Sequence, residues 1–316
     1  MTGPPTQPAR GAATTASGPG GSIYDLGYQA YDGPRLGRRS AVRALFAQTI
    51  RACFGIGRGG RAKVAPFTLA ALAILPAVLA VGFSALAAQA GPAGGAIENA
   101  SPIRYETYHG LVGILIMLFC AAQAPELFGR DQRYGVLPLY LSRVLTRTDY
   151  ALAKVGGLVI ALLAVELSPY VVLFVGRVFV APDPATGLAD EIAAVPRFVL
   201  QGLLVAGLLG SLAGVVAAWT PRRAYATATI IAIFIIPPII VGLVGGLTTL
   251  DLARFIVLFS PADVLAGTNA AIFGSLPEDP VVASVDLPGW AYVTAAIVGI
   301  AGSIGLTVRR YLRIVT

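Results

Sequence analysis

Few residues in this 316-residue sequence have the type and spacing that chemistry needs. Its two cysteines, Cys53 and Cys120, stand far apart with no CxxC, which removes a disulfide scaffold, a zinc ribbon and an iron–sulfur site. The one histidine, His109, cannot supply an HExxH pair, a three-histidine zinc site or a haem held between two histidines. Neither lysine, Lys63 or Lys154, is preceded by glycine, so the chain has no GxxxxGK[ST] phosphate loop, and it has no GxSxG elbow. Gly55-Ile56-Gly57-Arg58-Gly59-Gly60 matches GxGxxG letter for letter. No strand precedes it and a long apolar run follows, so it reads as a flexible corner and not as a dinucleotide site.

Glu166 is the one ionisable group deep in an apolar segment. A charge at the centre of a bilayer costs on the order of 3 kcal/mol or more, so Glu166 is expected to be neutral or paired. Ser168 is too near in sequence to be its partner, whereas Arg177 shares its helix face. Two readings stand side by side: a substrate or proton contact in a pathway, or a hydrogen-bonded contact between helices. A lone acid does not make a two-carboxylate relay or an aspartyl protease site.

The surroundings of these residues are apolar. The chain is 56% hydrophobic and 12% charged, against about 25% charged in soluble domains. Val64–Ile97, Thr107–Pro125, Phe198–Pro221, Ala224–Leu250 and Leu287–Val308 contain no Asp, Glu, Lys or Arg, and Val155–Gly176 is interrupted only by Glu166. A helix needs about 20 apolar residues to cross a bilayer. The expectation is an all-α integral membrane protein with six spans, near 66–90, 106–127, 152–177, 197–219, 224–247 and 288–308. None of these runs alternates as a barrel strand would. With both termini inside, the cytoplasmic segments hold 19 of the 23 basic residues, and the outer side holds ten acids and four arginines. That asymmetry satisfies the positive-inside rule in every loop, and it explains the basic balance without a nucleic-acid partner.

Residues 1–36 are read as a disordered cytoplasmic tail, 37–60 as an amphipathic interfacial helix and its corner, and 61–316 as the six-span domain. Within Arg38–Phe54, Val42, Leu45, Phe46, Thr49 and Cys53 share one face, opposite Ser40, Arg43, Gln48 and Arg51. Arg39, Arg43 and Arg51 suit anionic lipid at the inner surface. The loop 127–154 mixes Arg130, Asp131, Arg133, Tyr134, Arg143 and Arg147 with Val136, Leu137, Leu139, Tyr140 and Leu141, and the apolar members need a membrane surface or a protein partner. Pro138 limits that stretch to a short helix or turn, and Thr146 or Thr148 is expected to cap the third span. Between the fifth and sixth spans, Ser260-Pro261-Ala262-Asp263 is a helix start, so Asp251–Phe259 and Pro261–Phe273 read as two short outer helices. Gly210 and Gly214, and Gly299, Gly302 and Gly305, mark close helix packing, and Pro237-Pro238 is expected to break or kink the fifth span.

This pattern resembles the permease subunits of exporter-type (type two) bacterial ABC transporters. Tyr31-Asp32-Gly33-Pro34-Arg35-Leu36-Gly37-Arg38 is similar to the N-terminal signature of actinobacterial members. Pro125-Glu126 through Asp131, then Leu137-Pro138-Leu139-Tyr140-Leu141-Ser142-Arg143 to Asp149–Lys154, resembles the family's coupling loop. The resemblance covers most of residues 31–316. It implies a multi-pass protein of the bacterial plasma membrane that pairs with a second copy or a sister permease. A separate cytosolic ATPase subunit would use the ATP, and no cofactor would be bound by this chain. Arg130, Asp131, Arg133, Tyr134, Leu137, Tyr140, Arg143 and Arg147 would form the ATPase-coupling loop. The substrate stays open. The alternative is an ATP-independent polytopic transporter or membrane assembly subunit, with Glu166 as a proton-coupling site. A membrane enzyme ranks third for want of catalytic residues.

Overall fold

A computed structural model describes residues 33, 36–90, 103–142, 144–247 and 251–314, without the side chains of 245–253. The tail 1–36 lies outside the described residues except for Gly33 and Leu36, and so do Tyr31, Asp32, Pro34 and Arg35 of its signature stretch and Arg143. Every regular element among the described residues is helical. In chain order these are α1 (Gly37–Cys53), α2 (Arg61–Gln89), α3 (Tyr105–Arg133), α4 (Leu137–Leu141), α5 (Arg147–Val180), α6 (Pro184–Glu191), α7 (Val195–Trp219), α8 (Arg223–Leu247), α9 (Pro261–Phe273), α10 (Pro280–Val285) and α11 (Gly289–Leu312). Short 3-10 turns cover Ile192–Ala194 and Asp251–Phe259. Six helices are long and apolar enough to cross a membrane: α2, α3, α5, α6 with α7, α8 and α11. They overlap the six expected segments.

Residues 36–314 form one compact unit built around α7, which packs against α3, α5, α8, α9 and α11. The cause is visible in its sequence. Small residues occur on several faces of α7, so neighbours approach its backbone directly. A Cβ added at Gly210 would meet Val159 Cγ2 of α5 at 2.9 Å, and one at Gly207 would meet Ile300 Cδ1 of α11 at 2.9 Å. The Gly210–Gly214 motif is thus used within the chain, against α5 and Phe128 of α3. Gly302 and Gly305 face open space instead. The least enclosed spans are α2 and α8, whose exposed faces carry Leu75, Leu79, Phe83, Ile236, Ile239 and Leu243.

Three local expectations hold and two change. Thr146 caps α5, accepting from the Asp149 amide, with the Asp149 side chain returning the bond. Ser260 caps α9 by accepting from the Asp263 amide, with Pro261 at the first helical position. Leu137–Leu141 is a single short helix. Of the break or kink expected at Pro237-Pro238, the break is absent: α8 is one helix from Arg223 to Leu247. The apolar face of α1 is also not left to lipid. Leu45, Thr49, Ala52 and Cys53 are buried, and Phe46 and Thr49 rest on Gly156 and Gly157 of α5. The glycine pair opens a groove in a span that the amphipathic pattern of α1 alone does not reveal.

Candidate functional site

Hydrogen bonds draw the arginine-rich termini of the helices together at one end of the unit. Arg38 of α1 donates to Asp149 of α5 at 2.7 and 2.9 Å. Arg133 donates to the Pro221 carbonyl at 3.5 Å, and Arg147 to the Leu312 carbonyl at 3.1 Å. This basic end contains the corner at Gly55–Gly60, where Gly55 adopts φ +65° and a Cβ would sit 2.6 Å from the Ala62 carbonyl oxygen. Only glycine fits a left-handed turn with a backbone that close. The GxGxxG letters therefore serve a turn between α1 and α2.

The corner, α1, the last turn of α3 and α4 enclose a cleft of about 1100 Å³. At its base lies a buried cluster. Asp131 accepts from Lys154 Nζ at 2.7 Å and from the Tyr150 hydroxyl at 2.6 Å, and Lys154 also donates to the Leu127 carbonyl at 3.2 Å. Tyr150 stacks edge-on against Tyr311 and beneath Tyr140. Burial, reinforced by the Asp131 carboxylate and opposed by Arg130, pushes the Tyr140 hydroxyl above its usual range. At the rim, Glu126 is shared by three guanidinium groups: Arg58 at 2.9 Å, Arg223 at 3.5 Å and Arg130 at 3.8 Å. One carboxylate among three cations leaves a positive excess at the mouth.

The loop residues singled out by sequence divide accordingly. Tyr134 is 67% exposed and Leu139 is 69% exposed, so both present apolar surface at the cleft. Arg130 and Arg133 are also exposed. Asp131 is turned inward onto Lys154, and Leu137 is buried in the core, so neither is available to a partner in this conformation. Tyr140 is half-buried, and Arg147 binds the end of α11. On α1, Arg39, Arg43 and Arg51 all remain exposed. Sequence reading missed Glu126, Arg58 and Arg223 as one cluster, because they come from three segments with no shared motif. What this arrangement can do is bind: an apolar ledge among arginines suits an acidic, partly apolar surface.

Glu166 has a different partner from the one expected. Its Oε1 lies 3.1 Å from His109 Nδ1, and its side chain is fully buried. Arg177 instead reaches Glu191 at 3.8 Å, the Ile103 carbonyl at 3.2 Å and the Tyr105 ring at 4.7 Å. The Ser168 hydroxyl donates to its own helix at the Val165 carbonyl. His109 carries no sequence signal for this role beyond lying within a span. No group of acids, histidines and cysteines among the described residues has the geometry to hold a metal ion.

No protein-family model matches the chain, and no curated protein matches it in sequence.

Proposed function

We propose that this chain is the membrane permease subunit of an exporter-type ABC transporter, driven by a separate cytosolic ATPase. The observation that carries the reading is the basic cleft between α1 and the loop after α3, with exposed Leu139 and Tyr134 set among arginines. The gathering of arginines at this end supports a cytoplasmic position for it, with both termini inside the bacterial plasma membrane. The lipid-facing breadth of α2 and α8 leaves surface for a second copy or a sister permease. Arginine and tyrosine are favoured anchors at protein interfaces, and truncating a central anchor typically costs over ~2 kcal/mol. Leu139→Asp combined with Tyr134→Ala is therefore expected to strip ATPase activity from the protein purified out of its native membranes. The double variant should still insert and run as a folded species. The chain purified alone is expected neither to bind nor to hydrolyse ATP, having no phosphate loop. Co-purifying ATPase activity that survives both substitutions would refute the cleft as the contact.

A second reading, an ATP-independent polytopic transporter or assembly subunit, draws on the buried His109–Glu166 pair. It predicts that no ATPase co-purifies from native membranes under any condition.

A further inference from the structure

The two least enclosed spans, α2 and α8, both pack against α3. Between them runs a groove of about 590 Å³. Small-molecule sites usually measure about 300–1,000 Å³. Its floor is Ala121 and Ala122 of α3, too small to fill the space, and its walls include Val64 and Leu69 of α2 and Ile231 of α8. The Thr227 hydroxyl of α8 donates to the Ala121 carbonyl at 3.1 Å and holds that wall to the floor. From Arg61 to Leu69 the groove follows α2 for about 12 Å, most of the ~15 Å depth of one hydrocarbon leaflet.

The groove is apolar along its length and cationic at its mouth. Arg61, the first residue of α2, is the only charged one among the described residues that line it. Its side chain is exposed and makes no ion pair or hydrogen bond among the described residues. Arg58 stands on the adjoining corner and Arg223 on the first turn of α8, and the two share Glu126 with Arg130. Lys63 and Arg222 are exposed close by in the sequence. Asp131, the next acid along α3, is occupied by Lys154. One carboxylate, Glu126, thus answers the whole group, and the mouth keeps a positive excess. Both α2 and α8 also begin here, so the positive ends of their dipoles reinforce it.

An acyl chain suits such a groove, and a phosphate suits such a mouth, since guanidinium groups match phosphate geometry. A second copy of this chain does not. Its described acids at this end are Glu126, Asp131 and Asp149, each already paired within the chain, and its arginines would meet their own kind. A zwitterionic headgroup brings a cation to a mouth already rich in them. We propose that this groove binds an anionic phospholipid, one acyl chain against Leu69, Ala122 and Ile231 and the phosphate on the Arg61 guanidinium. The site rests on the spans and their charge, and it needs no ATPase.

The test uses the full chain, stripped of lipid in a mild detergent. It is titrated with dioleoyl phosphatidylglycerol and, separately, with dioleoyl phosphatidylcholine, and bound lipids are counted by native mass spectrometry. The first phosphatidylglycerol is expected to bind roughly fivefold or more tighter than the first phosphatidylcholine, the worth of one basic residue beside an anionic lipid. Arg61→Gln should remove most of that preference. Arg309→Gln takes an equal charge from the exposed end of α11, away from the groove, and should leave the preference as it is. Ala122→Phe and, separately, Ala65→Phe fill the groove from two helices. Each should weaken the first phosphatidylglycerol by roughly tenfold, the burial of about two methylenes, with an unchanged elution profile. If either filled variant fails to fold, Arg61→Gln, at an exposed position, still decides. The proposal is overturned if the two lipids bind alike, or if Arg61→Gln binds as the parent does. It is equally overturned if Arg309→Gln weakens binding as much as Arg61→Gln, which would leave only diffuse surface charge. Filled variants that bind phosphatidylglycerol as the parent does overturn it too, and a smaller oligomer in those variants would then give the groove to a second copy. Arg61 does not line the basic cleft, so a failure here leaves the coupling reading intact. Loss of ATPase co-purification likewise leaves the lipid preference unchanged.

Discussion

Asp131 and Lys154 stand 23 positions apart in the sequence and meet at 2.7 Å, both largely withdrawn from solvent. A buried pair of this kind is strongly unfavourable to break from one side, because the survivor is left charged and unpaired. Lys154→Met is therefore expected to destabilise by about 3 kcal/mol, whereas Lys154→Met with Asp131→Leu recovers most of the loss. Thermal unfolding of the three proteins in one detergent reads this directly. Equal destabilisation by the single and double variants would mean that packing, not charge, is what matters at this position. The same logic applies to Glu166. His109→Ala strands the carboxyl in a span and should lower the unfolding midpoint clearly more than Glu166→Gln, which keeps an acceptor facing Nδ1. Identical midpoints would show that the pair contributes nothing to stability. Glu166 was legible as anomalous because any acid in such a run is. Its partner was not, since proximity across two helices leaves no trace in spacing along one.

Among the elements, α1 shows how a local pattern can be right while its environment is missed. Its two faces are readable from the spacing of Leu45, Thr49 and Cys53, but that spacing is equally suited to lipid and to a groove. The groove exists because Gly157 lacks a side chain, and a Cβ there would lie 2.6 Å from Thr49 Cβ. Gly157→Leu is expected to lift α1 from α5 without disturbing the span, since leucine is a better helix former than glycine. Arg39, Arg43 and Arg51 should then become much faster trypsin sites in the detergent-solubilised protein, read by the rate of N-terminal trimming. Unchanged cleavage kinetics would mean that the α1–α5 contact does not hold the helix. The caps of α5 and α9 were readable because capping is local chemistry, satisfied within four residues. The course of α8 through Pro237-Pro238 was not, because whether a proline ends a helix depends on what its neighbours do for the freed carbonyls.

At the level of the molecule, the asymmetry of basic residues becomes a spatial fact: α1, the corner and the ends of α3, α5 and α11 are tied to their neighbours by arginines. The proposed orientation predicts that Ala185→Cys and Leu276→Cys react with an impermeant thiol reagent on intact cells, in a background without Cys53 and Cys120. Gly187, in the same outer segment, is unsuitable because it packs against Ala181 and Val178. Ser142→Cys, on the basic end, should label only after permeabilisation. The reverse pattern would invert the topology and with it the ATPase-binding assignment.

The sequence by itself determined that the chain is helical, that six segments are apolar and long enough to span, and that Thr146 and Ser260 cap two of the helices. Those properties follow from composition and from periodicity within a few turns of chain. Only the tertiary structure decided that Glu126 gathers Arg58, Arg130 and Arg223, that Asp131 meets Lys154, and that Glu166 faces His109. The physical reason is the same in each case. Inside a bundle, a polar group is satisfied by whichever neighbouring helix comes within about 3 Å of it, and that choice is made by packing around the small residues of α7.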